Sequence, residues 1–203
     1  MVHLLSRSFR EKHLPQARAP RADAVRNRKK ILDAAREQIT LHGPEIGMDE
    51  IAAAAGVAVG TLYRHFPTKT DLVAAVIAEY VDDVAEHAQG ALARAVEGAR
   101  PVDEIAAFLE YVVEASATDR AVKAAAQALG ATPTNKAGED RATAALAELI
   151  RAGQDDGDIH PDVTVEDLYL LFTSAPTDRE PTARARWLTL VLRGLTTHPT
   201  MNT

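Results

Sequence analysis

Hydrophobic positions recur along this chain at helical rather than strand spacing. Over residues 22–42, Val25, Leu32, Ala35 and Ile39 share one helix face, while Arg26, Arg28, Lys29, Lys30 and Arg36 occupy the other. His42-Gly43-Pro44 ends that helix, because glycine accepts the left-handed cap and proline cannot continue. Two short helices follow at about 48–55 and 59–65, with Gly56 between them and Pro67 after them. Gly47 stands at the N-cap of the first, with Glu50 at the capping-box position. Thr68 and Asp71 open a long helix whose apolar stripe runs from Val73 through Val76, Tyr80, Val84 and Ala88 to Ala95.

Breakers divide the remainder. Pro101 starts a helix with Ile105, Phe108, Leu109 and Val112 on one face, and residues 118–129 form another that Gly130 ends. After a polar loop at 132–138 comes a helix over 139–154, closed by Gly153 and the acidic turn at 155–158. Val165, Leu168, Tyr169 and Phe172 mark a short helix that stops before Pro176, and the last helix covers 182–196. Leu188 to Leu192 alternates like a strand but lies inside that longer helical pattern. The reading is all-α, with about nine helices and no strand.

Composition supports it. Alanine, the best helix former, supplies 39 of 203 residues, against nine aromatics. The absence of cysteine excludes disulfide frameworks, thiolate nucleophiles and thiolate-held metals. The most apolar stretch, residues 51–60, is far short of the ~20 residues that cross a bilayer. The N-terminal apolar segment is also too short for a signal-peptide core. The expectation is a soluble, cytoplasmic protein without a membrane partner.

Charge is distributed unevenly. The net charge is −6, yet residues 1–70 hold 12 Lys and Arg against 7 Asp and Glu, whereas residues 71–203 hold 11 against 22. A basic module on an acidic body points to nucleic acid, although a merely solvated basic face gives the same count. Residues 1–21 contain Arg7, Arg10, Lys12, Arg18 and Arg21 against Glu11, with two prolines and no periodicity. They read as a flexible basic arm, either a source of DNA affinity or a tail without a role. The division is then arm 1–21, head 22–68 and body 69–203.

The sharpest motif is MDEIAAAAGVAVGTLYRHFP, residues 48–67. A helix-turn-helix needs a small residue where its two helices cross, and Ala52 supplies it. Four positions on, the turn needs a residue at ease with positive φ, and Gly56 is there. Leu62 then plugs the second helix into the core. Its outward residues, Gly60, Thr61, Tyr63, Arg64 and His65, are small or polar groups that can enter a major groove.

The segment AGVAVGTLYRHFPTKTDL, residues 55–72, resembles the DNA-binding head of the tetracycline-repressor (TetR) family of bacterial transcriptional regulators. The matching elements are Ile51-Ala52, Ala55-Gly56-Val57, the run from Gly60 to Phe66, Lys69 and Leu72. The resemblance implies a three-helix head, a larger ligand-sensing body, a homodimer built on the last two helices and a palindromic operator. Two positions depart from it. Gly47 and Ala58 stand where the family commonly places the hydroxyl caps Thr and Ser, which puts those contacts in doubt.

The expected DNA contacts are Arg28, Gly60, Thr61, Tyr63, Arg64, His65 and Lys69. Thr61 can meet a base edge, a thymine methyl or a phosphate. Tyr63 and His65 suit phosphates, and Lys69 adds charge at a helix N-terminus. Tyr63 is also compatible with packing in the head, and Arg64 with a solvated or ion-paired role.

The body offers no catalytic constellation. Its histidines lack metal-ligand spacing, and no phosphate loop or nucleophile elbow is present, so no enzyme, metal or cofactor is expected. What the resemblance implies is a cavity for a small effector. The candidate lining is Tyr80, Val84, Phe108, Tyr111, Val112, Leu129, Leu146 and Phe172, although residues at such spacing fit a plain core equally well. So few aromatics favour a mainly aliphatic pocket and a largely apolar ligand. The alternative is a ligand-independent DNA-organising or protein-interaction member of the same fold. A hollow body favours sensing, and a filled one the alternative.

Overall fold

The computed structural model describes residues 19–197, and among them are nine helices and no strand. They are α1 (Ala19–His42), α2 (Met48–Ala54), α3 (Val59–His65), α4 (Lys69–Val96), α5 (Pro101–Thr118), α6 (Arg120–Leu129), α7 (Lys136–Asp155), α8 (Val165–Ser174) and α9 (Pro181–Leu195). Up to residue 18 the expected basic arm lies outside the described residues, and its last three positions already belong to α1.

Two apolar cores organise the helices. The first joins Ile31, Leu32 and Ile39 of α1 to Ile51, Ala52 and Leu62 of the helix-turn-helix. Leu72, Val73 and Val76 of α4 also enter it, as do Val122, Ala125 and Ala126 of α6. The second gathers Ala85, Ala88 and Ala91 of α4 with α5, α7, Leu168 of α8 and Leu188 of α9. One continuous helix, α4, therefore passes through both cores, and α6 is pinned to the head. Alanine faces make this possible, since helices can approach closely where side chains are small.

Caps set the boundaries. Thr68 and Asp71 form a full capping box on α4: the Thr68 Oγ1 accepts from the Asp71 N–H at 3.1 Å, and the Asp71 carboxylate accepts from the Thr68 N–H at 3.1 Å. Thr164 and Asp167 repeat it on α8. At α2 only half a box exists, because the Glu50 carboxylate accepts from the Gly47 N–H at 2.8 Å and glycine has no oxygen to return.

The expected bounds need correction in α7. This helix starts at Lys136, because Asn135 caps it through the Gly138 N–H and also donates to the Ala78 carbonyl. Gly138 is no breaker but a buried contact with α4, where an added Cβ would lie 3.0 Å from Val81. Gly153 is likewise inside the helix, and a Cβ there would come within 2.6 Å of Ile159. The chain turns at Gly157 instead, at φ +76°. An isolated bridge between Ile159 and Thr196 ties the end of α9 to that turn.

Candidate DNA interface and effector cavity

The candidate recognition surface is assembled by α1–α3. Gly56 has φ +64°, and its turn is closed by the Val57 N–H donating to the Ala52 carbonyl at 3.0 Å. Leu62 and Phe66 are buried, which fixes α3 in rotation and leaves Gly60, Tyr63 and Arg64 exposed. Tyr63 points outward at 45% exposure, so it is not a packed aromatic of the head. The Arg64 guanidinium donates to the Thr61 hydroxyl at 3.1 Å, placing the two side chains on one patch. A groove between α1 and α3 is lined by Asp23, Ala24, Asn27, Thr61, Arg64 and His65. A Cβ at Gly60 would meet nothing, so the fold has no internal need for glycine there.

The remaining expected contacts are differently placed. Arg28 is exposed on α1, with its guanidinium carbon 5.4 Å from the centre of the buried Phe66 ring. Lys69 is half-buried, and its ammonium donates to the Pro44 and Ile46 carbonyls, the latter at 2.6 Å. It fastens the α1–α2 loop to the start of α4, which leaves one N–H for any phosphate.

The body is hollow. A cavity of about 900 Å³ opens between α4, α5, α6, α7 and α8. It is lined by Tyr80, Val84, Phe108, Val112, Leu146 and Phe172, six of the eight expected residues. The other two sit elsewhere. Tyr111 stacks on His87, with ring centres 3.5 Å apart, and Leu129 packs against the head-side core. The wall is mostly apolar, and polar groups that the sequence reading did not place there, Ser116, Arg120, Lys123, Glu139, Asp140 and Thr143, also contribute to it. Spacing could not reveal them, because in helices built from alanine a polar residue reads as solvated.

Within the cavity Lys123 donates to the Ser116 Oγ at 3.0 Å and lies 4.6 Å from the centre of the Tyr80 ring. Tyr80 Oη and Ser116 Oγ are 2.9 Å apart. Burial pushes the Lys123 ammonium below its ordinary pKa, against the opposing pull of Asp119. Burial also raises the Tyr80 phenol.

An ion pair crosses from head to body. Arg36 Nε of α1 is 3.3 Å from Oδ1 of Asp119, at the α5–α6 corner, and Arg36 Nη1 is 3.8 Å from Asp83 of α4. Asp119 is buried, and burial raises its pKa even with Arg36 beside it. Neither Arg36 Nε nor Asp119 Oδ1 makes a hydrogen bond of good geometry.

A helix-turn-helix with its second helix exposed, carried on a hollow helical body, defines a DNA-binding regulator rather than an enzyme. Residues 31–76 match the profile of bacterial regulatory proteins of the tetR family, and residues 100–197 match the C-terminal domain of SbtR-like transcriptional regulators. A TetR transcription regulatory protein from Mycobacterium vanbaalenii has a solved structure that is 34% identical; the match covers 87% of this chain and 99% of that one, at a TM-score of 0.69. A TetR transcriptional regulator from Streptomyces coelicolor is 30% identical over 85% of this chain and 99% of its own, at 0.63. The HTH-type transcriptional repressor LfrR of Mycolicibacterium smegmatis is 42% identical over 89 residues, 44% of this chain. The chain spans 43% of the length of that curated relative. The chain belongs to the TetR family of bacterial transcriptional regulators. No helix among the described residues is long and apolar enough to cross a membrane.

Proposed function

We propose that the chain is a homodimeric repressor that grips a two-fold-symmetric operator through α3 and releases it when a small molecule enters the body cavity. The observation that carries the reading is the dual use of α6. Arg120, Lys123, Ala124 and Gln127 face the cavity, while Val122, Ala125 and Ala126 are buried in the core shared with the head. A ligand that displaces α6 therefore acts on α1 directly, through packing and through the Asp119–Arg36 pair. Cores repack between discrete arrangements rather than deform smoothly, so such a shift is passed on to the head.

DNA contact falls to Gly60, Thr61, Tyr63 and Arg64, with His65, Arg28 and the free N–H of Lys69 at phosphates. Gly60 supports this assignment: a Cβ there would meet nothing in the fold, so the missing side chain leaves room for close approach of a DNA backbone. Similarity to the LfrR repressor supports repression as the direction of control. Exposed Leu170 of α8 and Leu190 of α9, beside a groove lined by Val163, Leu171 and Val191, supply the apolar face for dimerisation. The ligand-independent interaction reading loses ground because the body is hollow.

Selection of duplexes from a random library by the full chain, followed by anisotropy titration, tests the proposal. The recovered site is a palindrome bound about a thousandfold or more tighter than scrambled duplex at the same salt. Equal affinity for both would overturn it.

A further inference from the structure

Lys123 is a partly buried cation on the cavity wall. Its ammonium has three N–H donors; Ser116 takes one, and the Tyr80 ring offers only a π face. Among the described residues it forms no ion pair, and the nearby carboxylate, Asp119, is already 3.3 Å from Arg36. The other charged lining residues, Arg120, Glu139 and Asp140, carry a net single negative charge, but all three are exposed and screened by water. The one partly buried charge therefore sets the preference of the cavity. Around it stand two hydroxyls, Ser116 and Tyr80, and beyond them an apolar wall of Val84, Phe108, Val112 and Leu146.

We propose that the effector is an amphiphilic monocarboxylate, its acid group paired with Lys123 and hydrogen-bonded by the one O–H that the Tyr80–Ser116 pair does not use internally, its hydrocarbon body against Val84, Phe108, Val112 and Leu146. This rests on the cavity being an effector site. A single partly buried cation matches a single negative charge, whereas the second charge of a phosphate monoester would have only the exposed Arg120 to meet it. The acceptor that the ammonium lacks is the one the ligand brings, and the pairing offsets the desolvation that Lys123 and the carboxylate each pay.

The test is calorimetric titration of the full chain with three probes of one chain length below their micellar range: decanoate, decanol and decyltrimethylammonium. Decanoate binds about tenfold to a hundredfold more tightly than decanol, the range of a charged hydrogen bond. Lys123→Met brings the two within about twofold and leaves decanol unchanged, while Lys123→Arg keeps the preference. Equal binding of decanoate and decanol to the wild type, tightest binding of the cation, or a preference that survives Lys123→Met overturns the carboxylate assignment and leaves the effector cavity standing. Failure of all three probes to bind likewise overturns the amphiphilic carboxylate and leaves the effector cavity to be judged by its own test. Should Lys123→Met not fold by circular dichroism, the three wild-type affinities decide alone.

Discussion

Removing Arg36 and removing Asp119 have unequal consequences, and the inequality is set by burial. The Asp119 side chain is 6% exposed and that of Arg36 is 29% exposed. Arg36→Met keeps the apolar stem but strands a carboxylate in the seam between head and body. Breaking a fully buried pair in this way costs ~3–5 kcal/mol. Partial exposure of Arg36, and the loss of a guanidinium already short of hydrogen bonds, reduce the expected cost to about 2 kcal/mol near pH 7.5. Asp119→Asn should cost under ~1 kcal/mol, because it also removes a desolvation penalty. The double variant should recover most of the loss from Arg36→Met, a coupling that additive sites lack.

The pH dependence has a fixed sign. The carboxyl of Asp119 is raised in the folded protein, so it binds its proton more tightly there than in the unfolded chain. Its contribution is fully favourable below the unfolded pKa and is lost as pH rises through the folded one. Without Arg36 that pKa rises further, so the defect of Arg36→Met shrinks as the solution is acidified. Urea unfolding followed by circular dichroism, at fixed protomer concentration and several pH values, measures each of these quantities. A double variant no more stable than Arg36→Met, or a defect that grows on acidification, would refute the reasoning.

Three further outcomes follow from the packing and the exposed faces. Gly153→Ala forces a Cβ to within 2.6 Å of Ile159 and should destabilise the fold by about 1–3 kcal/mol in the same urea assay. Tyr63→Ala should weaken binding to all duplexes alike, whereas Thr61→Ala should change the selected sequence, both read by anisotropy against a panel of operators. Leu170→Glu with Leu190→Glu should convert a dimer to a monomer in sedimentation at micromolar concentration, because charge would be buried in an apolar face.

The head was legible because its geometry is local. Ala52, Gly56 and Leu62 each answer a demand made within a few residues, and Thr68 with Asp71 marks the start of α4 by the same short-range logic. The body was legible as helices but not as surfaces. Periodicity places Leu129 and Val84 on apolar faces alike, yet one joins the head-side core and the other lines the cavity. Gly138 and Gly153 look like breakers in a string, but both are close contacts made by residues more than five positions away in the chain, Val81 and Ile159. Arg36 likewise reads as one more solvated base on α1, and only the fold brings it to Asp119. Lys69 looked free for DNA because nothing in the string shows the carbonyls of Pro44 and Ile46 turning toward it.

The central claim is two-fold, sequence-specific DNA recognition through α3, and hydroxyl-radical footprinting of the full chain on its selected duplex tests it most directly. The account predicts two protected half-sites related by a dyad and centred about one helical turn apart, roughly 34–36 Å, or a small multiple of it. Protection should disappear with Tyr63→Ala at the same protein concentration. A single asymmetric stretch of protection without a dyad, or a footprint indifferent to Tyr63, would contradict it.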